Sequence, residues 1–163
     1  MLFDLFYGGK SASEAHAEGG DAEVTDIAPK PVDETTPAFR DIHIRNVWCR
    51  GARRAMYFNG LPEMNVERVT VENTQIYAVT GAQINESSDV VLRGVKIIPE
   101  QGPALMLNNV KNLSAEGFVC PEGLERALVV TGSRNRSIEV SSPQITGANA
   151  SLSKGAARYV AIK

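Results

Sequence analysis

The chain has 163 residues, 43% hydrophobic and 22% charged, with a formal charge of −2 at neutral pH. That length supports one domain with a core, and so small a net charge gives no overall field to select nucleic acid or an anionic membrane as a partner. No apolar run approaches the roughly 20 residues of a spanning helix, and Met1-Leu2-Phe3-Asp4 lacks the basic start of a secretory leader.

From the amino end, residues 1–9 predict a stub strand, Leu2 to Tyr7, stopped by Gly8-Gly9. Residues 10–38 are rich in Ser, Ala, Gly and Pro and have no periodicity. Seven acids stand there against Lys10 and Lys30, so the segment reads as a long acidic loop. From residue 39 to 163 the chain becomes regular. Phrases alternating with period two recur at Ile42-His43-Ile44, Val69-Thr70-Val71, Val90-Val91-Leu92, Leu113-Ser114-Ala115 and Ile138-Glu139-Val140, with Tyr159 to Ile162 beginning another. Between them a second phrase repeats about every 23 residues: a small residue, a few apolar ones, then Asn, Thr or Ser at a bend. It appears at Ala55–Asn59, Ala82–Asn85, Ala104–Asn108 and Ala127–Thr131, and weakly at Ala150–Ser153.

Alternation means strands with one buried face, and a fixed period means a stacked repeat. Val, Ile and Thr dominate and no 3.6-residue stripe is present, which excludes a helical repeat. No leucine-rich frame recurs, and about 23 residues is too short for a propeller blade. The prediction is an all-β chain: one right-handed parallel β-helix over residues 1–163, a short stack of about five coils with a long N-terminal loop. Cys49 and Cys120 fall at similar points three coils apart. At about 4.8 Å per coil the two lie roughly 14 Å apart, beyond the ~7 Å limit for a bridge. Both are expected as free thiols, and two cysteines and two histidines so scattered give no zinc spacing.

Three longer phrases carry a resemblance. Phe3-Asp4-Leu5-Phe6-Tyr7-Gly8-Gly9-Lys10, Thr36-Pro37-Ala38-Phe39-Arg40-Asp41-Ile42-His43-Ile44 and Gly60-Leu61-Pro62-Glu63 resemble the C-terminal third of glycoside hydrolase family 28 proteins. These are the polygalacturonase-like pectinases, and the likeness is to the branch found in gut Bacteroidetes. It runs in order from residue 2 to at least residue 118. The resemblance implies a pectin lyase-like β-helix, inverting hydrolysis of galacturonosyl linkages, a periplasmic or secreted location, a pectic polysaccharide or oligosaccharide as ligand, and no cofactor. The family's catalytic signatures (Asn-Thr-Asp, Asp-Asp, Gly-His and Arg-Ile-Lys) do not occur in this sequence. Inversion needs one carboxylic acid and one carboxylate about 6.5–9.5 Å apart, so no catalytic residue is assigned. The expectation is the C-terminal segment of a pectin-degrading hydrolase, inactive alone. The alternatives are a non-catalytic acidic-glycan-binding or structural module, and a hydrolase that recruits Asp4 with a loop carboxylate across a subunit interface.

By the resemblance, Tyr7 lies near the sugar subsites, and Lys10 could meet a galacturonate carboxylate as a point charge. Arg40, Arg45, Arg50, Arg53 and Arg54 could form a groove for polyanionic pectin, or be solvated or paired with the acidic loop, which is the stronger expectation. Asn59, Asn85 and Asn108 read as a stacked amide ladder. Asp4 reads as structural, Glu63 as a turn acid, His43 as exposed, and Trp48 as packing. The N-terminal coil leaves open strand edges, so a homo-oligomer formed through it is expected, with no nucleic-acid or membrane partner.

Overall fold

Alternating aliphatic side chains make the scaffold. The computed structural model describes residues 1–5 and 28–163. Its strands are β1 (Leu2–Asp4), β2 (Arg40–Arg45), β3 (Trp48–Asn59), β4 (Val66–Glu116), β5 (Leu128–Thr131), β6 (Arg136–Val140), β7 (Ala150–Leu152) and β8 (Val160–Ile162). The one helical piece among the described residues is a three-residue 3₁₀ turn, Ala157–Tyr159. Every strand pairing is parallel. The chain is therefore a parallel β-helix of about five coils, as the periodicity predicts.

Three faces run along the stack. The first carries β2 on the Val69–Val71 part of β4, then the Leu113–Ala115 part on β6, and β6 on β8. The second carries Trp48–Arg50 on Gln75–Tyr77, and farther along Lys96 pairs with Val119. The third carries β1 on Tyr57–Asn59, those on Gln83–Asn85, and the Leu105–Asn108 part of β4 on β5 and then β7. Residues of one parity point inward. Val69, Val71, Val90, Leu92, Ile76, Ile97, Phe58, Ile84, Leu107 and Val130 are all buried in one core. Cys120 is buried in it, Cys49 lies at its edge, and both thiols are free.

Corners are turned by single residues. Asp41, Arg68, Asp89, Asn112 and Ser137 all take positive φ, at successive coils just before the first face. Asn46, Asn73, Gly94 and Gly117 do the same just after it, and Glu86, Asn109 and Gly132 after the third face. One left-handed residue bends a strand without breaking its ladder, which is why β4 runs unbroken for 51 residues. At the third corner the backbones close up: a Cβ on Gly60 would stand 2.0 Å from the Glu86 carbonyl oxygen. Only glycine fits there.

Candidate functional site

Sequence singled out Tyr7 and Lys10 as ligand contacts. Both lie outside the described residues, as do Phe6 and the acids between Glu14 and Asp26. β1 itself ends at Asp4. The asparagine ladder is present in part: Asn59 and Asn85 join, but Asn108 bonds onward to Thr131 and not back to Asn85. Asn85 Nδ2 donates to Asn59 Oδ1 at 3.1 Å, and Asn59 Nδ2 donates to Asp4 Oδ1 at 2.9 Å. Farther along, Asn108 Nδ2 donates to Thr131 Oγ1 at 2.9 Å. Asp4 thus ends a structural ladder, and Asn108 starts a separate one with a hydroxyl. Glu63 accepts from the Lys30 amide at 3.2 Å, and His43 is exposed.

A second polar row follows at the next corner. Asn109 Nδ2 donates to Glu86 Oε1 at 2.6 Å, and Arg134 Nη2 donates to the same oxygen. The Glu86 side chain is only 9% exposed. Burial pushes its carboxyl up, while the bonds from Arg134 and Asn109 and the charges of Arg134 and Lys111 pull it down less strongly. Sequence had no signal for this cluster, because a buried Glu is rare unless paired and its partner lies 48 residues away.

The outer surface of β3 is different. Trp48, Arg50, Arg53 and Arg54 are exposed. Trp48 is not packing, as its apolar neighbours suggested: strand alternation turns Cys49 toward the core and Trp48 outward, 64% exposed. The Arg50 guanidinium lies 5.4 Å from the centroid of the Trp48 ring and 4.8 Å from that of Tyr77. The Arg54 guanidinium lies 4.3 Å from the Tyr57 ring. Cation–π contacts of this kind contribute about 0.5–1 kcal/mol at exposed sites. They also seat each guanidinium over a ring, which leaves donors for another ligand.

Three other arginines have acids, whereas Arg40, Arg45, Arg126, Arg136 and Arg158 have none among the described residues, and Arg136 and Arg158 lie over the Tyr159 ring at 4.3 and 4.7 Å. Arg68 forks onto Asp41 at 2.6 and 3.0 Å, Arg93 bridges Glu72 and Glu116 at 2.6 and 3.1 Å, and Arg134 holds Glu86. Arg50, Arg53 and Arg54 have no carboxylate partner among the described residues. Two concavities lie along β3. One, of about 640 Å³, is lined by Met1, Arg53, Arg54, Tyr57, Thr80 and Gln101 among others. The other, of about 330 Å³, is lined by Asn46, Trp48, Asn73, Gln75, Gly94 and Lys96 among others. Both fall within the roughly 300–1,000 Å³ range of small-ligand sites, and no acid among the described residues lines either. Chemically this face can bind anions and stack on flat or ring-shaped ligands. Among the described residues it offers no pair of carboxylates for acid–base hydrolysis and no metal-binding cluster of His, Cys, Asp or Glu.

No protein-family model, curated protein or solved structure matches the chain.

Proposed function

We propose that this chain binds acidic polysaccharide, of the pectic polygalacturonate type, along the outer surface of β3, and does not itself cleave it. The observation that carries this reading is the set of exposed arginines at Arg50, Arg53 and Arg54. Arg50 and Arg54 lie over aromatic rings, Arg53 and Arg54 line a concavity, and none of the three has an acid partner among the described residues. Arginine matches a carboxylate with two parallel N–H···O bonds. A polymer with a carboxylate on every sugar can meet several such forks at once, so weak contacts add through multivalency. Tyr57 lines the same concavity but is buried, and its ring seats the Arg54 guanidinium.

In the wider proposal the chain is the C-terminal segment of a family 28 pectin-degrading hydrolase, with the catalytic carboxylates outside it. This rests on the phrases around Phe3, Arg40 and Gly60 and on the coil architecture, and it would put the protein in the periplasm or outside the cell. The test is calorimetric titration of the chain with oligogalacturonide, beside a neutral galactan oligomer. The acidic ligand should bind, and binding should weaken as salt screens the contacts. Arg53→Ala with Arg54→Ala should lower affinity by about tenfold or more, the loss of roughly 1.4 kcal/mol. No reducing sugar should be released from polygalacturonate. Absent or salt-insensitive binding would falsify the binding role. Sustained sugar release would replace it with the self-sufficient hydrolase.

A further inference from the structure

Trp48 is the only tryptophan in the chain, and the fold leaves it outside. Exposed apolar residues taken singly are normal, so exposure alone assigns nothing. What surrounds this ring does. Trp48 and Gln75 are register partners on the second face, and both line the 330 Å³ concavity with Lys96. Asn46 and Asn73 stand at the corner of the same concavity, held there by positive φ at 58° and 46°. The next residue in that corner stack is Gly94, where an added Cβ would stand 3.3 Å from Asn73 Oδ1. The glycine keeps the floor of the concavity open. Arg50 covers one face of the indole. Lys96 has no acid partner among the described residues.

A flat ring, one cation and several amides in one shallow hollow make a particular chemical pattern. The ring offers a platform for the C–H face of a pyranose. The amides offer donors and acceptors to hydroxyl groups. The ammonium offers a point charge to a carboxylate. We infer that this hollow is a uronosyl subsite: one sugar ring of an acidic glycan stacks on Trp48, its carboxylate meets Lys96, and Asn73 and the Oε1 of Gln75, whose Nε2 donates to the Tyr77 hydroxyl, bond its hydroxyls. The inference rests on the acidic-glycan reading and deepens it. The Arg53–Arg54 concavity holds the polymer by charge, and the Trp48 hollow reads an individual sugar. Arg50 stands between the two on β3.

The lone tryptophan makes the test direct. Its emission reports this hollow, whereas calorimetry reports binding anywhere on the chain. In wild-type protein, oligogalacturonide should shift Trp48 emission to shorter wavelength, saturating at the affinity that calorimetry measures. Lys96→Gln should weaken the acidic ligand by about fivefold to tenfold, a loss near 1–1.4 kcal/mol, and leave a neutral galactan oligomer unchanged. Both side chains project outward, so circular dichroism of Trp48→Ala and Lys96→Gln should match wild type. Calorimetric binding with no change in emission overturns the subsite and leaves the acidic-glycan reading standing. Equal emission shifts with acidic and neutral oligomers overturn the uronosyl assignment. No calorimetric binding overturns both readings.

Discussion

Glu86 shows how single residues sustain this fold. It sits at positive φ, a backbone state that costs a non-glycine residue roughly 1–3 kcal/mol unless its surroundings hold it. Asn109 and Arg134 hold it, and burial raises its carboxyl above the ordinary value. The native state therefore binds this proton more tightly than the unfolded chain. Its contribution is complete below the ordinary carboxylate value and is lost as pH rises through the raised one. Glu86→Gln keeps an acceptor for Asn109 and Arg134 and removes the titration. Thermal melts from pH 4 to 8 should therefore show the variant gaining on wild type as pH rises, then levelling off. A constant difference across that range would assign the shift to another group. Corners such as this were the least legible part of the sequence. Asn46, Asn73, Asn109, Gly94 and Gly117 are residues that favour left-handed backbone, but Arg68 and Glu86 are not. Those two are held by partners one or two coils away, Asp41 and Arg134, which no local pattern announces.

At the scale of the element, amide ladders tie one coil to the next. Asn85 Nδ2 supplies a hydrogen to Asn59 Oδ1, and both side chains are buried. Asn85→Ala leaves that oxygen without its donor, which should destabilise the fold by about 1–3 kcal/mol, read as a lower urea midpoint at unchanged slope. A midpoint equal to wild type would show that the ladder contributes nothing. Spacing alone announced this ladder, since Asn59, Asn85 and Asn108 close the same repeated phrase, although Asn108 joins Thr131 instead of Asn85. The strands were legible for the same reason: period two marks Ile42, Val69, Leu113 and Ile138 as inward, and the structure stacks these four on one face. The surface of β3 was legible only in part. Five arginines in 15 residues are visible in sequence. Their pairing with rings is not, because Arg50 meets Tyr77 across a coil boundary. Trp48 was misread because Val47 and Cys49 are apolar. Alternation along the strand, and not neighbour polarity, decided its direction.

Across the whole molecule, the N-terminal coil stands out. β1 and β2 each pair on one side only among the described residues. Leu2 is 68% exposed there, while Ile42 and Ile44 are only partly buried. Such an edge invites another chain, and we propose that copies of the protein associate through it. Light scattering should then give a dimer or trimer that dissociates when Leu2→Lys is introduced; a monomer at micromolar concentration would refute this. The exposed arginines lie close to the same end, so self-association and glycan binding are expected to compete. The central claim is that acidic glycan is held on the outer surface of β3. Hydrogen–deuterium exchange with and without saturating oligogalacturonide tests it most directly. Slower exchange should appear in residues 48–57 and 75–80, while the far coils around β6 and β8 stay unchanged. Saturable binding with protection confined to those far coils, or with none on β3, would contradict it.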